Sequence, residues 1–241
     1  MCKFFSLVTE PEQHGGQRFY FNWEYRKVHL KCNNADSHSH ICEVNGLDED
    51  KCNKYEYNPL TRDFKIDATN SETSDRVQVE EWLHGLDFKK IVSPLIIKEI
   101  INPFRMPKIE QVTEEHIQWL HDWASVWASV GYSVGDSVRD SVGDSVGDSV
   151  RDSVGYSVGY SVVDSVGDSV GYSVRASVGY SVWDSVRAYT SSFFSIPYKY
   201  DFSPCVRLWE SGLVSTFDGK TWRLHSGEKA EIVYEWTPSE I

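Results

Sequence analysis

A four-residue unit, x-x-Ser-Val, runs sixteen times without interruption from Trp123 to Val186. Ser and Val never vary across it, from Ser125 and Val126 to Ser185 and Val186. Any backbone that accepts this stretch must present the same environment every four residues. The variable positions carry a longer period. At the first position Trp127, Arg139, Arg151, Val163 and Arg175 recur every twelve residues, and Arg187 continues the series just past the last unit. The units that follow begin with Gly131, Gly143, Gly155, Gly167 and Gly179. The third set reads Trp123, Gly135, Gly147, Gly159, Gly171 and Trp183.

An α-helix advances about 400° over four residues, so a valine stripe drifts about 40° per unit and soon wraps the helix. Gly, Asp, Ser and Val are also weak helix formers. A coiled ribbon of short strands suits the composition better. Valine favours strands, alternation sends Ser and Val to opposite faces, and glycine permits corners. Three four-residue sides make a twelve-residue coil that stacks the arginines in one column and puts valine inside. At about 4.8 Å per coil, the repeat becomes a rod of roughly five coils, on the order of 25 Å long. A four-sided coil is the alternative on packing grounds, and helical structure or disorder are the alternatives on backbone grounds. Tandem duplication of a short stretch of DNA would give the same period with no structural meaning.

The expected architecture is therefore an α+β N-terminal domain over residues 1–108, a capping helix over 109–122, a central β-solenoid over 123–190 and a small β-rich C-terminal module over 191–241. In the N-terminal part, Cys2 to Val8 reads as a strand, Pro11 to Gln17 as a turn and Arg18 to Asn22 as the return strand. A short helix is expected from Trp23 to Lys31, and Cys32 to Asn53 reads as polar and irregular. Lys54 to Tyr57 and Phe64 to Asp67 form a second hairpin around Asn58-Pro59-Leu60-Thr61. A helix ends at Gly85, and Phe88 to Ile101 holds one or two short strands. Thr113 caps a further helix with Glu114 and Glu115 in its first turn, where the dipole favours acids. Beyond the repeat, Val206 to Trp209, Leu213 to Phe217, Lys220 to His225 and Ala230 to Trp236 read as strands, with Asp218-Gly219 a hairpin turn.

The net charge of −12 argues against nonspecific binding to nucleic acid or to anionic membrane. The opening Met-Cys-Lys-Phe-Phe-Ser-Leu-Val is too short an apolar run for a signal peptide, and no stretch is apolar over a membrane-spanning length. Five Cys without scaffold spacing suit a reducing compartment, so a cytoplasmic location is expected.

Three stretches carry a resemblance. The opening Cys2-Lys-Phe-Phe-Ser-Leu-Val8, the segment Asn53-Lys-Tyr-Glu-Tyr-Asn-Pro-Leu-Thr61 and the tail Phe217-Asp-Gly-Lys-Thr-Trp-Arg-Leu-His225 resemble those of phage and metagenomic proteins in which similar ends flank Ser-Val repeats of variable number. The resemblance implies a phage origin, with a host-cytoplasmic or virion location, and brings no activity with it.

Candidate chemistry lies at three places. Cys2, once Met1 is removed, would be an N-terminal nucleophile with its own amino group as base; the alternative is a small buried thiol at a strand start. Cys32, His38, His40, Cys42 and Cys52, with His29 nearby, have the residue types of a zinc site, although C-x5-H-x-H-x-C-x9-C is no common zinc spacing; the alternative is incidental side chains on a polar loop. On the repeat, Tyr132, Tyr156 and Tyr180 recur at 24-residue intervals, and Arg139, Arg151 and Arg175 stand beside residues that include Asp140 and Asp152. Exposed Tyr and Arg make good contacts for a protein partner. Rows of Asp could instead imitate a phosphate backbone as an acidic decoy, and a plain spacer is the unadorned alternative. The functional expectation is a non-enzymatic interaction or structural protein, of the kind of a phage accessory or virion component, with a Cys2 hydrolase and the decoy as alternatives.

Overall fold

A computed structural model describes residues 5–11, 19–21, 37–91, 95–130, 134–142, 150–170 and 175–238. The described residues fall into two compact units, one up to Glu99 and one from Ile100 onward.

In the first unit, β1 (Phe5–Thr9), β2 (Phe19–Tyr20), β3 (Asn53–Tyr57) and β4 (Phe64–Ala68) form an antiparallel sheet in the order β2-β1-β3-β4. The expected strands at both hairpins are present. β1 is buried along its whole length because it lies between two neighbours and under a helix. That helix, α1 (His38–Asn45), falls in the stretch expected to be irregular. The Ser37 side chain accepts from the His40 N–H and caps it, and Gly46, at φ 66°, ends it in the left-handed conformation that glycine tolerates. Ile41 and Cys42 of α1 pack on Val8 and Cys52 to make a small core. α2 (Arg76–His84) runs up to Gly85 as expected. Phe88–Ile91, read as strand from its β-branched surroundings, is a single helical turn, α3. Its Phe88 ring packs against Phe5 and Tyr57 at 5.1 and 5.2 Å. The expected helix over Trp23 to Lys31 lies outside the described residues.

In the second unit the repeat is helical, and the β-solenoid is overturned. The chain forms α4 (Glu114–Val130), α5 (Val134–Val142), α6 (residues 150–170) and α7 (Arg175–Ser191), and among the described residues no repeat segment is a strand. The valines are inside, but on helices. Val150, Val154, Val158, Val162 and Val166 of α6 and Val178, Val182 and Val186 of α7 are all buried.

One feature reduces the drift that argued for a coil. In α6 the turn Gly155–Gly159 is a π-turn, which inserts one residue into the helical ladder. Sixteen residues from Val150 to Val166 would rotate the stripe by about 160°, and one inserted residue brings this back to about 60°. Serine's poor helix propensity is not made good by its hydroxyl, which turns back onto the helix backbone. Ser161, Ser169 and Ser181 donate to carbonyls three residues back, and Ser125, Ser129 and Ser185 to carbonyls four back. Tertiary burial of the valine face supplies what propensity lacks.

α7 is the hub of this unit. It packs against α5, α6, α8 (Ser203–Glu210) and the strand β5 (Val214–Phe217). Its serines are small enough to let β5 lie close. Ser181 Oγ accepts from the Phe217 N–H at 2.9 Å, and Ser185 Oγ lies 3.2 Å from Ser215 Oγ. β5, β6 (Trp222–Ser226) and β7 (Glu231–Trp236) form an antiparallel meander with the expected turn at Asp218-Gly219. The Asp218 carboxylate accepts from the N–H groups of Lys220 and Thr221, and Gly219 takes φ 97°. Val206 to Trp209, expected as a strand, is helical in α8, with Pro204 in its first turn where a missing N–H costs nothing. α4 begins after Thr113 as expected. The Thr113 hydroxyl accepts from the His116 N–H, and the His116 ring accepts in return from the Thr113 N–H.

Candidate functional site

The variable positions of the repeat meet in an open groove between α6 and α7, about 240 Å³ in volume. Arg151, Asp152, Gly155, Tyr156 and Tyr160 come from α6, and Trp183 and Arg187 from α7. Every one occupies the first or second position of its unit or continues that series. The invariant Ser-Val pair thus builds the framework, and the variable pair lines the cleft.

The floor depends on glycine. Trp183 lies over Gly155 and Gly159, and a Cβ added at Gly159 would stand 3.0 Å from the indole. Glycine is what lets the Cζ3–Cη2 edge of that indole approach the helix so closely. The Trp183 ring meets Tyr160 edge-on at 5.2 Å, and Tyr160 meets Tyr156 at 5.9 Å. The π-turn holds Gly155 and Tyr156, and Tyr160 follows it directly. The result is a ladder of three rings, of which Tyr156 is 77% and Tyr160 57% exposed. Solvated rings of this size in a row are an unusual expense for a chain unless something covers them.

Charge in the groove is paired. Arg151 contacts Asp152 at 3.4 Å. Arg187 donates to the buried Asp184 carboxylate at 2.9 Å, and Trp127 Nε1–H of α4 donates to its other oxygen at 3.0 Å. Asp184 therefore ties α4 to α7 and holds the Arg187 guanidinium in the groove lining. Asp184→Ala is expected to cost about 1–3 kcal/mol, because the indole N–H loses its acceptor in a part-buried place. Asp184→Asn, which keeps an acceptor, should recover part of that in a urea melt; equal loss in both would assign the effect to charge alone.

Of the residues singled out on the repeat, Arg151, Asp152 and Tyr156 lie in this groove. Tyr180 is on α7 and 72% exposed, outside the groove lining. Tyr132 lies outside the described residues, as do the side chains of Arg139, Asp140 and Arg175. The stacked arginine column belonged to the coil and falls with it. Tyr160, Trp183 and Arg187 were not foreseen, because helix packing brings them in.

The remaining candidates separate. Cys2, His29 and Cys32 lie outside the described residues. Cys42 and Cys52 sit together in the apolar core of the first unit, where burial pushes both thiols up, Cys52 to about 12. His40 faces Glu43 at 3.7 Å. His38 is drawn elsewhere, to Glu56 and Asp67; among the described residues its possible metal-ligand neighbours are these carboxylates and not the cysteines. The Asp67 carboxyl is held below its ordinary range by the hydrogen bond from Lys65, with His38 a lesser cause.

No family model matches the chain, and neither a curated protein nor a solved structure matches it. No helix among the described residues is long and apolar enough to cross a membrane.

Proposed function

We propose that the chain is a non-enzymatic interaction protein whose repeat-built groove takes a segment of a partner protein. The observation that carries this reading is the aromatic ladder Tyr156–Tyr160–Trp183 on a glycine floor, with Arg151 and Arg187 in the same lining. Tyr, Trp and Arg are the residue types that dominate interface energetics when they are desolvated. The charges in the cleft are already balanced internally, so the partner's contribution is apolar and aromatic contact rather than bulk charge. A place as a phage accessory or virion component rests on the resemblance of the two ends and the repeat.

Tyr156→Ala with Tyr160→Ala tests this. Both rings are exposed, so the double variant should keep its stability to within about 0.5 kcal/mol. Affinity for a partner captured by the wild-type chain should fall by about 30-fold or more, the loss of one hot spot. A partner held equally well by the double variant would place binding elsewhere.

A further inference from the structure

We propose that His38, Glu56 and Asp67 form a binding site for a divalent first-row transition ion of the Zn2+ kind. Three separate elements converge there. His38 opens α1, Glu56 stands on β3, and Asp67 stands on β4. Asp67 is aimed by an irregularity in the sheet. Tyr55 pairs with Ile66 and Lys54 with Ala68, so Asp67 is the extra residue of a β-bulge. Bulges re-aim a side chain while leaving the flanking ladder intact. The candidate ligand atoms of the three residues all lie within 4.8 Å of one another. A modest closing brings them to a common ion at the ordinary bond length of about 2.0–2.2 Å.

The orientation of the imidazole supports this. His38 Nε2 is 2.9 Å from the Tyr55 carbonyl. A carbonyl only accepts, so Nε2 carries the hydrogen. Nδ1 is left facing Asp67 Oδ2 at 3.5 Å. A neutral ring would there set a lone pair against a carboxylate; a proton on Nδ1 relieves this, and so does a metal ion held between the two. A ligating histidine characteristically donates its other N–H to a backbone carbonyl in this way.

Glu56 supplies an independent sign. Its side chain is 6% exposed, and Oε2 is buried with no hydrogen bond. Lys65 Nζ stands 3.9 Å from Oε2 and 2.7 Å from Asp67 Oδ1. A buried carboxylate oxygen left without a hydrogen bond is costly, and a metal ion relieves that cost. Lys65 is on the solvent side and half exposed, so it can swing away as the ion enters. One imidazole and two carboxylates suit Zn2+ or Mn2+ better than Mg2+, which prefers oxygen alone. Asp67, 38% exposed, leaves the solvent side open for water to complete the shell.

The test is calorimetric titration of the full chain, stripped with chelator, with ZnCl2 and separately with MgCl2. One Zn2+ per chain is expected, with Mg2+ weaker by about tenfold or more. Glu56→Gln and Asp67→Asn should each weaken Zn2+ by about tenfold or more, judged on variants whose circular dichroism matches the wild type. Lys65→Gln should strengthen it, because the competing ammonium is gone. No zinc binding, or zinc binding that both Asp67→Asn and Lys65→Gln leave unchanged, overturns the proposal. The second outcome would move the ion to other residues, such as Cys42 and Cys52. Asp67 is the more exposed ligand, so its variant remains informative if Glu56→Gln fails to fold.

Discussion

Trp209→Ala is expected to destabilise the second unit by about 3–5 kcal/mol, the cost of emptying a large core site. The Trp209 indole is buried and stacks on Tyr189 at 5.1 Å with the planes 17° apart. It also holds the chain that enters this unit. Trp209 Nε1–H donates to the Ile101 carbonyl at 2.9 Å, and the Ile101 N–H donates to the Tyr189 hydroxyl at 3.0 Å. One stacked pair therefore satisfies both backbone groups of a single residue far away in sequence. Trp209→Phe keeps much of the ring stacking and loses the N–H, so it should cost only about 1 kcal/mol more than a packing adjustment. Urea denaturation measures both. A cost below about 1 kcal/mol for the alanine variant would mean that this pair does not carry the packing described.

Lowering the pH from about 7 to about 4 should remove on the order of 3 kcal/mol through His225 alone. This ring is fully buried in β6. The Ala230 carbonyl accepts from Nδ1–H at 2.9 Å, and the Thr216 hydroxyl then donates to Nε2 at 2.9 Å. Burial pushes its pKa down to about 4, against the ordinary 6.5, with Arg223 adding to the effect and the Ala230 carbonyl opposing it. The unfolded chain takes up a proton at about 6.5 and the folded chain does not, so stability is full above 6.5 and falls as the pH drops towards 4. His116, also lowered by burial, acts in the same direction. Carboxyls held below their ordinary range act lower on the pH scale. Asp218 is one: burial alone would raise it, and hydrogen bonds from the Thr221 N–H, Arg223 and the Lys220 N–H outweigh that. His225→Gln should lose some stability at neutral pH and flatten the slope between 6.5 and 4; an unchanged slope would assign it to other groups.

How far the chain could be read in advance differs from part to part, for physical reasons. Elements set by local chemistry were legible: the Asp218-Gly219 turn, the hairpin at Asn58 to Thr61, the stop at Gly85 and the cap at Thr113. So was the inward set of the valines. The repeat's backbone was misread because composition and drift were judged over an unbroken run. What reverses that judgement is tertiary burial of the valine face and the π-turn at Gly155–Gly159. Ser37 and Asn45-Gly46 did carry the signals of a helix that went unread, α1. Val206 to Trp209 carried apolar residues that fit a strand, while Pro204 sits in the opening turn of the helix they form, α8. The groove was half visible. Arg151 and Tyr156 stood out as variable residues, but Trp183 joins them only through packing between helices distant in sequence. Glu56 and Asp67 gave no sign at all, since the register of two strands and one bulge puts them beside His38.

The π-turn in α6 also bears on how such a chain tolerates change in its own length. Inserting one tetrapeptide extends a helix by about 6 Å and rotates its tip by about 40°. A single extra residue in the ladder takes back about 100°, the twist of between two and three such insertions. A gene that gains or loses copies can therefore keep its greasy seam pointed at its neighbours while the bundle lengthens, as a vernier scale slides without losing its zero.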